Sequence, residues 1–379
     1  MKKLLKNNKF QQFASVVLSI IILLIAASFC KYTVPVSTDE NLEKAVVTEV
    51  IATTTGQSIR DTTVTTIVFS AKITSGDEKG NVYKMTQLLD EMSPPVPKPV
   101  DVGDKILVMY TEPETESTVS GWSYAGANNI YGVILLIGAF LALILIIGRS
   151  KGVATILSLV ITAVAVFSIF IPSVLLGYNI YVFTIGVTLF IIFSSLCILN
   201  GWNKKTLCAI IGNSGGILIS GVLAIFINKG FGITGILDSD YLFLTMLEGG
   251  VVINLPALIW SGILIGSVGA IMDVAMSLSS SMFELSEQMY EPSYKKLVIS
   301  GMNIGRDAIG TMTNTLILAY VGGSMATILL FAAYTQDFVL LLNYEMLLVE
   351  IIQAIVGSIG ILLAVPITVF FSAWIFLKK

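Results

Sequence analysis

Eight long apolar stretches occupy most of this sequence, and no other feature constrains its fold as strongly. They cover roughly residues 13–29, 130–148, 152–172, 179–199, 206–228, 256–280, 304–333 and 346–376. About 20 apolar residues are enough for a helix to cross the hydrocarbon core of a bilayer. The chain is 55% hydrophobic and 12% charged, and a soluble domain carries about twice that share of charged residues. We therefore predict a polytopic α-helical membrane protein with about eight transmembrane helices.

The basic residues predict the orientation of these helices, because cytoplasmic loops of membrane proteins are enriched in lysine and arginine. If the N-terminus is cytoplasmic, the short outer loops receive only Lys229. The inner side then receives Arg149, Lys151, Lys204, Lys205, Lys295, Lys296, Arg306, Lys378 and Lys379. We therefore predict that both termini are cytoplasmic.

The first apolar stretch has two interpretations, because a lysine-rich start before an apolar run also describes a signal peptide. Phe29, just before Cys30, is bulky and makes a poor cleavage site. We favour an uncleaved membrane anchor.

The composition excludes several kinds of chemistry. The chain has no histidine, which rules out Ser-His-Asp and Cys-His catalysis and histidine-ligated zinc. Its three cysteines, Cys30, Cys197 and Cys208, lack a metal-binding spacing, and the sequence has no phosphate-binding loop for ATP. The net charge of -3, without a basic cluster, argues against nucleic acid as a partner. We predict no enzymatic activity, no cofactor and no metal.

Residues 31–128 differ from the rest, because they are rich in threonine, valine and charged residues and alternate as strands do. Residues 45–55, 62–74 and 105–111 fit this alternation. We predict a small extracytoplasmic all-β barrel, of the OB or SH3-like kind, between the first and second spans. It is either a passive stalk or a module that binds a partner. The predicted division of the chain is 1–30 for the tail and first span, 31–128 for the β-rich domain and 129–379 for a seven-helix membrane domain.

Residues 241–255 are apolar but too short to span a bilayer. Asp238 caps the start of this piece, Glu248 and two glycines interrupt it, and Asn254 precedes Pro256 as a candidate helix cap. We predict either an interfacial or re-entrant segment or a helix on the surface.

The stretch 256–280 carries small residues along one side, Gly262, Gly266 and Gly269, at a spacing that lets another helix approach closely. The same side continues to Asp273 and Ser277. A carboxylate inside an apolar span has to face the helix bundle or a cavity.

The stretch that begins near residue 301 is the most polar of the spans. One side carries Asn303, Asp307, Gly310, Thr311 and Asn314 at helical spacing, and a neighbouring stripe carries Arg306, Gly310 and Thr313. One short loop joins this stretch to 256–280, so the two helices are expected to be antiparallel neighbours.

These residues support two hypotheses. In the first, they line a path for a substrate or an ion, because ionisable groups inside a membrane indicate a functional site. The predicted path residues are Asp273, Asn303, Arg306, Asp307, Thr311, Asn314, Ser277, Glu248 and Asn254. In the second, an ion pair between Asp273 and Arg306, together with the amides, only fixes helix packing.

Three runs in these two helices resemble those of the YibE/F family. They are residues 266–277, 300–307 and 310–320, which read GSVGAIMDVAMS, SGMNIGRD and GTMTNTLILAY. The resemblance extends from about residue 130 to the end of the chain. It implies a bacterial, multi-pass protein of the cell membrane, in a family whose biochemical function is poorly defined.

Two functions follow as expectations. The first is a secondary transporter or exporter of a small molecule or ion that uses the intramembrane carboxylates. The alternative is an envelope factor whose outer β-domain binds a protein partner. An intramembrane aspartyl enzyme is disfavoured, because Arg306 lies beside the carboxylates and protease signatures are missing. The sequence leaves the substrate and the oligomeric state open.

Overall fold

The computed structural model describes most of the chain as helices and strands. The described residues are 8–30, 42–57, 63–90, 97–110, 121–247, 251–334 and 337–378. They divide into two compact units, one of Thr33–Leu143 and one of Met1–Tyr32 with Ile144–Lys379. The first unit holds the strands, and the second holds most of the helices.

Five antiparallel strands form the core of the first unit. They are β1 (Leu42–Gln57), β2 (Thr63–Ile73), β3 (Val82–Asp90), β4 (Lys105–Tyr110) and β5 (Trp122–Ala127). Their order in the sheet is β3-β2-β1-β4-β5. Because β3 also lies against β5, the sheet curls into a nearly closed barrel. The predicted small all-β domain is thus confirmed as a barrel.

β1 is central because it is long enough to pair on both sides. Leu42 to Val46 pairs with β4, and Ala45 to Gln57 pairs with β2. Two register shifts within the β1–β2 ladder mark bulges, which increase the twist of a strand. The extra twist lets one strand serve both halves of the barrel.

The alternation of β2 sets the barrel interior. Ile67, Phe69, Ala71 and Ile73 are buried, whereas Lys72 between the last two is exposed. This is the period of two that a strand with one apolar face requires.

The remaining described residues form helices. They are α1 (Asn8–Phe29), α2 (Ile130–Ala165), α3 (Ile171–Leu175), α4 (Ile180–Asn200), α5 (Lys204–Phe231), α6 (Ser239–Thr245), α7 (Leu255–Gln288), α8 (Tyr294–Gly323), α9 (Met325–Tyr334), α10 (Phe338–Leu342) and α11 (Glu345–Leu377). A short π-helical segment, Val166–Phe170, joins α2 to α3.

Among the described residues, six helical segments are long and apolar enough to cross a membrane. The 46 residues of Ile130–Leu175 count as one of these segments, and α8 with α9 would add a seventh if the pair forms one span. The helices thus belong to a membrane-embedded protein, with a lower count than the eight predicted.

Ile130–Leu175 is not one straight rod, because α2 breaks at Arg149. The backbone of Arg149 has φ 49° and ψ -124°, outside the helical region. A side chain at Gly152 would collide with the carbonyl group of Ile144, eight residues earlier and about 12 Å away in a straight helix. The two predicted stretches, 130–148 and 152–172, lie on either side of this break.

The stretch 304–333 differs from the single span that its composition predicts. It contains the end of α8 and most of α9, and these two helices meet at an angle of 64°. The break at Ser324 follows Gly322 and Gly323, and glycine is a poor helix former. Hydropathy could not reveal this bend, because the flanking residues are apolar on both sides.

Side-chain caps define where several helices begin. The side-chain oxygens of Asn179, Asn203, Asn254 and Ser293 each accept a hydrogen bond from the backbone N–H three residues later. Asp238 caps α6 in the same way. The predicted caps at Asp238 and Asn254 are confirmed, and α6 is a short helix. Residues 248–250 lie outside the described residues, so the choice between a re-entrant and a surface segment stays open.

The helices of the second unit have one lysine-rich end, which we call the basic end. It carries Lys204, Lys205, Lys295, Lys296 and Lys378. α1 begins there, because Gln12 Nε2 donates to the Leu199 carbonyl and Trp202 Nε1 donates to Ser15 Oγ. α11 ends there, because Lys204 Nζ donates to the Lys378 carbonyl over 2.8 Å.

Helices α5, α7, α8 and α11 form the core of this unit, and small residues allow their close approach. A methyl group added at Gly216 of α5 would lie 2.9 Å from both the Gly360 carbonyl oxygen and Ala364 Cβ, on α11. The same methyl would lie 3.2 Å from Ile271 on α7. Three helices therefore meet at Gly216.

We predict that Gly216→Ala destabilises the protein by about 1–3 kcal/mol, as overpacking of a core does. The thermal midpoint of the purified protein in detergent measures the loss. Gly186→Ala on α4 is the matched control, because a methyl there meets no described atom within 4 Å. Equal midpoints for the two variants would contradict the close helix approach at Gly216.

Candidate functional site

Two glycines of α8 set its packing on α7 and α11, and at Gly305 the closer contact is with Val365 of α11. A side chain at Gly301 would lie 2.7 Å from Met282 Sδ, and one at Gly305 would lie 3.6 Å from Leu278 Cδ2. Four residues forward along α8 thus correspond to four residues back along α7. The two helices are antiparallel neighbours, as predicted from the short loop between them.

This register sets the depth of the predicted polar residues. Continued by one or two turns, it puts Arg306 level with Ser277 and Gly310 level with Asp273. Ser279 marks the basic end of the bundle, because its hydroxyl donates to the Lys205 carbonyl. Asp273 is six residues further in, about 9 Å along the helix axis.

α7 separates a buried apolar side from an exposed small and polar side. Ile271, Val274, Ala275 and Leu278 are buried against neighbouring helices. The opposite side is exposed and carries Gly262, Gly266, Gly269, Asp273 and Ser277. The predicted stripe of small residues is present and mostly open: a Cβ at Gly262 or Gly269 would meet no described atom within 4 Å, and one at Gly266 would lie 3.0 Å from the Tyr320 hydroxyl of α8.

α8 is divided in the same way. Leu297, Gly301, Gly305 and Leu316 are buried. Its exposed side carries the polar residues that the spacing predicted, Asn303, Arg306, Asp307, Thr311 and Asn314, together with Gly310. The Thr311 hydroxyl is already used, because it donates to the Ala308 carbonyl of its own helix over 3.0 Å.

The exposed sides of α7 and α8 together form the candidate site, which we call the α7–α8 face. It comprises Gly262, Gly266, Gly269, Asp273 and Ser277 of α7 and Asn303, Arg306, Asp307, Gly310, Thr311 and Asn314 of α8. A charged side chain at the centre of a bilayer costs about 2.5–3.5 kcal/mol on insertion scales. A face with two carboxylates and a guanidinium is therefore not made for hydrocarbon chains.

The alternative role for this face, an ion pair that fixes packing, has no support within one copy of the chain. Arg306 Nη1 donates to Asn303 Oδ1 over 3.3 Å. Among the described residues, no ion pair joins Asp273 to Arg306. The ion pair of this bundle lies instead at the basic end, where Lys205 Nζ is 2.8 Å from Glu284 Oε1.

Two predicted path residues are not part of the α7–α8 face. Glu248 lies outside the described residues. Asn254 starts α7 and is occupied as its cap, accepting a hydrogen bond from the Ala257 N–H over 3.1 Å. It is about 28 Å from Asp273 along the helix axis.

The structure adds one buried polar residue that sequence reasoning missed. Asn213 of α5 is fully buried, and neither atom of its amide has a hydrogen-bond partner among the described residues. Because Gly216 packs against Ile271, Asn213 is close in depth to Asp273. An amide inside the apolar stretch 206–228 was the available signal.

A second candidate site is a pocket of the barrel, with a volume of about 1140 Å³. Three aromatic side chains line it. The Trp122 ring is 5.9 Å from that of Tyr83 and 5.3 Å from that of Tyr110. Aromatic faces in a pocket bind cations and flat apolar surfaces.

Carboxylates line the same pocket and have opposite pKa shifts. Burial, followed by the charges of Asp77 and Glu78, raises the pKa of Glu43. Hydrogen bonds from the Tyr83 hydroxyl and the Asn81 amide lower the pKa of Glu78. The Tyr83 hydroxyl donates to Glu78 Oε2 over 2.7 Å.

Residues 136–378 match the family model described as YibE/F-like protein. The matched segment includes α7, α8 and the α7–α8 face and excludes the barrel. No curated protein and no solved structure matches the chain.

We predict that Glu43→Gln and Glu78→Gln change the stability of the barrel in opposite directions at neutral pH. The raised pKa of Glu43 means that its contribution to stability is full below the ordinary value of 4.5 and is lost as the pH rises through the raised value. At neutral pH the charged carboxylate of Glu43 therefore opposes folding. Glu43→Gln removes this charge and should stabilise the barrel. Because the pKa of Glu78 is lowered, its charged carboxylate stabilises the folded barrel above pH 4.5, and this contribution is lost as the pH falls through the lowered value. Glu78→Gln should therefore destabilise the barrel at neutral pH.

Hydrogen exchange of β1 and β2 in the full-length protein measures both effects. At a pH well below 4.5 both differences from the unmodified protein should shrink. Shifts of the same sign for the two variants at neutral pH would contradict the assignment.

Proposed function

The chain belongs to the YibE/F-like protein family, and from this premise we propose that it is a membrane carrier that moves a small solute or an ion along the α7–α8 face. One observation carries the proposal: charged and amide side chains are exposed on two neighbouring helices of the bundle. Ionisable groups in such a place indicate a pathway for ions, protons or polar substrates. No catalytic step, cofactor or metal is part of the proposal.

The proposed roles follow from the chemistry of each side chain. Asp273 and Asp307 take up a coupling proton or cation, since a carboxylate can bind and release either of them. Arg306 supplies the counter-charge, and Asn303 and Asn314 offer amide donors and acceptors to a polar substrate. Broken helices often line transporter sites, and the 64° bend between α8 and α9 is a feature of this kind.

The proposed topology has eight spans, with both termini in the cytoplasm of a bacterial cell. Dividing Ile130–Leu175 at Arg149 and joining α8 with α9 raises the six apolar segments to eight. α1 begins and α11 ends at the basic end, and an even number of spans is needed for that. Basic residues favour the cytoplasmic side, which leaves the barrel outside the cell membrane.

A second candidate function is supported by the barrel. Its order, in which β1 pairs with β2 and β4 while β3 approaches β5, favours the OB alternative over the SH3-like one. OB barrels are frequent binding modules. The aromatic and acidic pocket at Trp122 and Glu43 supports an envelope factor that binds a partner through this domain.

We predict that Asp273→Asn and Asp307→Asn abolish transport while leaving insertion intact. Purified protein is reconstituted into liposomes that enclose a pH-sensitive dye. Gradients of monovalent and divalent cations and of amino acids are then imposed one at a time. The unmodified protein should give a dye response to at least one of them, and both Asn variants should lose it, because an amide cannot exchange a proton.

Glu284→Gln is the matched control, since Glu284 is an exposed carboxylate that pairs with Lys205 at the basic end. A variant lacking residues 36–122 separates the two functions. If both Asn variants keep full flux while loss of residues 36–122 abolishes activity, the carrier proposal fails and the binding function is favoured.

We predict that cysteines at Asn203 and Tyr294 resist a membrane-impermeant thiol reagent in intact cells, in a background without the native cysteines. Both positions lie near the basic end, which the proposed topology assigns to the cytoplasm. A cysteine at Lys229, near the opposite end of α5, should react and serves as the positive control. Labelling at Tyr294 in intact cells would overturn the proposed orientation.

A further inference from the structure

The α7–α8 face is open in a single copy of the chain. A Cβ at Gly262, Gly269 or Gly310 would meet no described atom within 4 Å. Asp273 and Asp307 are exposed beside them. Hydrocarbon cannot solvate these carboxylates, so protein or enclosed water has to cover the face in a membrane.

The α7–α8 face resembles a helix–helix contact surface for which one of the two helices is missing. Inside the bundle, Gly301 lets α8 approach α7, Gly305 lets α8 approach α11, and Gly216 lets α5 approach α11. Gly262 and Gly269 repeat this device on the exposed side of α7, where a Cβ would meet no described atom within 4 Å, whereas a Cβ at Gly266 between them would lie 3.0 Å from the Tyr320 hydroxyl of α8. Small residues in this spacing are typical of contacts between transmembrane helices.

From this we infer that a second copy of this chain covers the α7–α8 face, with Asp273 of one copy paired with Arg306 of the other. The inference goes beyond the proposed function, because it names the molecule that covers the face and holds whether or not a solute moves there.

Charge complementarity within the face favours a second copy over other occupants. Asp273 is level with Gly310, and Arg306 is one helical turn from Gly310 towards the basic end. A two-fold axis perpendicular to the membrane keeps every residue at its own depth in both copies. α7 of one copy against α8 of the other then brings Asp273 within reach of the long Arg306 side chain.

The two-fold symmetry makes this contact twice, because an isologous interface uses the same patch on both copies. Both Asp273 carboxylates and both Arg306 guanidiniums are then paired, and each glycine stripe faces a helix. Asp307 of each copy keeps no cationic partner in this arrangement and stays available to a cation. Within one copy, by contrast, the described residues give Asp273 no ion pair.

Disulfide cross-linking in native membranes tests the interface directly. Two differently tagged chains without native cysteines are co-expressed, one with Gly269→Cys and the other with Asn314→Cys. These positions are level in the α7–α8 register, so a disulfide between the two tags reports contact between copies. The matched control replaces Gly269→Cys with Val222→Cys, on an exposed side of α5 outside the face.

We expect the Gly269–Asn314 pair to give a two-tag product well above the Val222–Asn314 control. A yield equal to the control would overturn the inference. If the cross-link joins this chain only to a different protein, the second copy is likewise excluded.

Charge exchange tests the proposed pair. Asp273→Arg and Arg306→Asp should each lower dimer association by about threefold or more, since an average polar contact between transmembrane helices corresponds to roughly that factor. The double variant should restore it. Photobleaching steps of labelled protein in liposomes count the copies. If both single variants stay fully dimeric, or if the folded double variant stays monomeric, the Asp273–Arg306 pairing is wrong.

Discussion

A bilayer offers its proteins no hydrogen bonds and almost no solvation of charge, and the helical unit depends on this constraint throughout. Buried hydroxyls satisfy it by bonding to their own helix: Thr188, Ser220, Ser267 and Thr368 each donate to the carbonyl four residues earlier. Helix starts satisfy it with side-chain caps. Glu345 satisfies it at the far end of the bundle, where its carboxylate accepts hydrogen bonds from the backbone N–H groups of Thr234 and Gly235.

Much of the fold follows from the sequence because the same constraint leaves clear marks there. Long apolar stretches predict the spans, and the Asp238 and Asn254 caps are visible as polar residues before apolar ones. Two features escape this reasoning. The bend between α8 and α9 is set by weak helix formers near Ser324 within an evenly apolar run. The order of the barrel strands depends on which partners β1 meets, and alternation within β1 alone carries no such information.

The candidate site was predictable in part, and for a similar reason. Helical spacing correctly groups Asp273 with Ser277 and Asp307 with Asn303, since residues three and four apart share a side of a helix. Spacing cannot tell whether that side faces a neighbouring helix or the outside of the bundle. The expected intramolecular pair of Asp273 with Arg306 failed for this reason. Asn254 was predicted both as a helix cap and as a path residue. The structure shows it as the cap of α7, and residue type alone could not separate these two roles.

The contrast between satisfied and unsatisfied polar groups separates structure from function in this bundle. The hydroxyls of Ser220 on α5, Ser267 on α7 and Thr368 on α11 are bonded to their own helices, so their polarity needs no further partner. Asp273, Asp307 and Asn314 have no such bond within the described chain, and they lie on one face instead of being scattered. Asn213 is also unsatisfied, but it is fully buried in the core of the bundle. A continuous open face of unsatisfied groups has a different meaning, because its partners must come from outside this copy of the chain. A solute, an ion and a second copy of the chain all meet that requirement, and they differ in which atoms of the face they occupy.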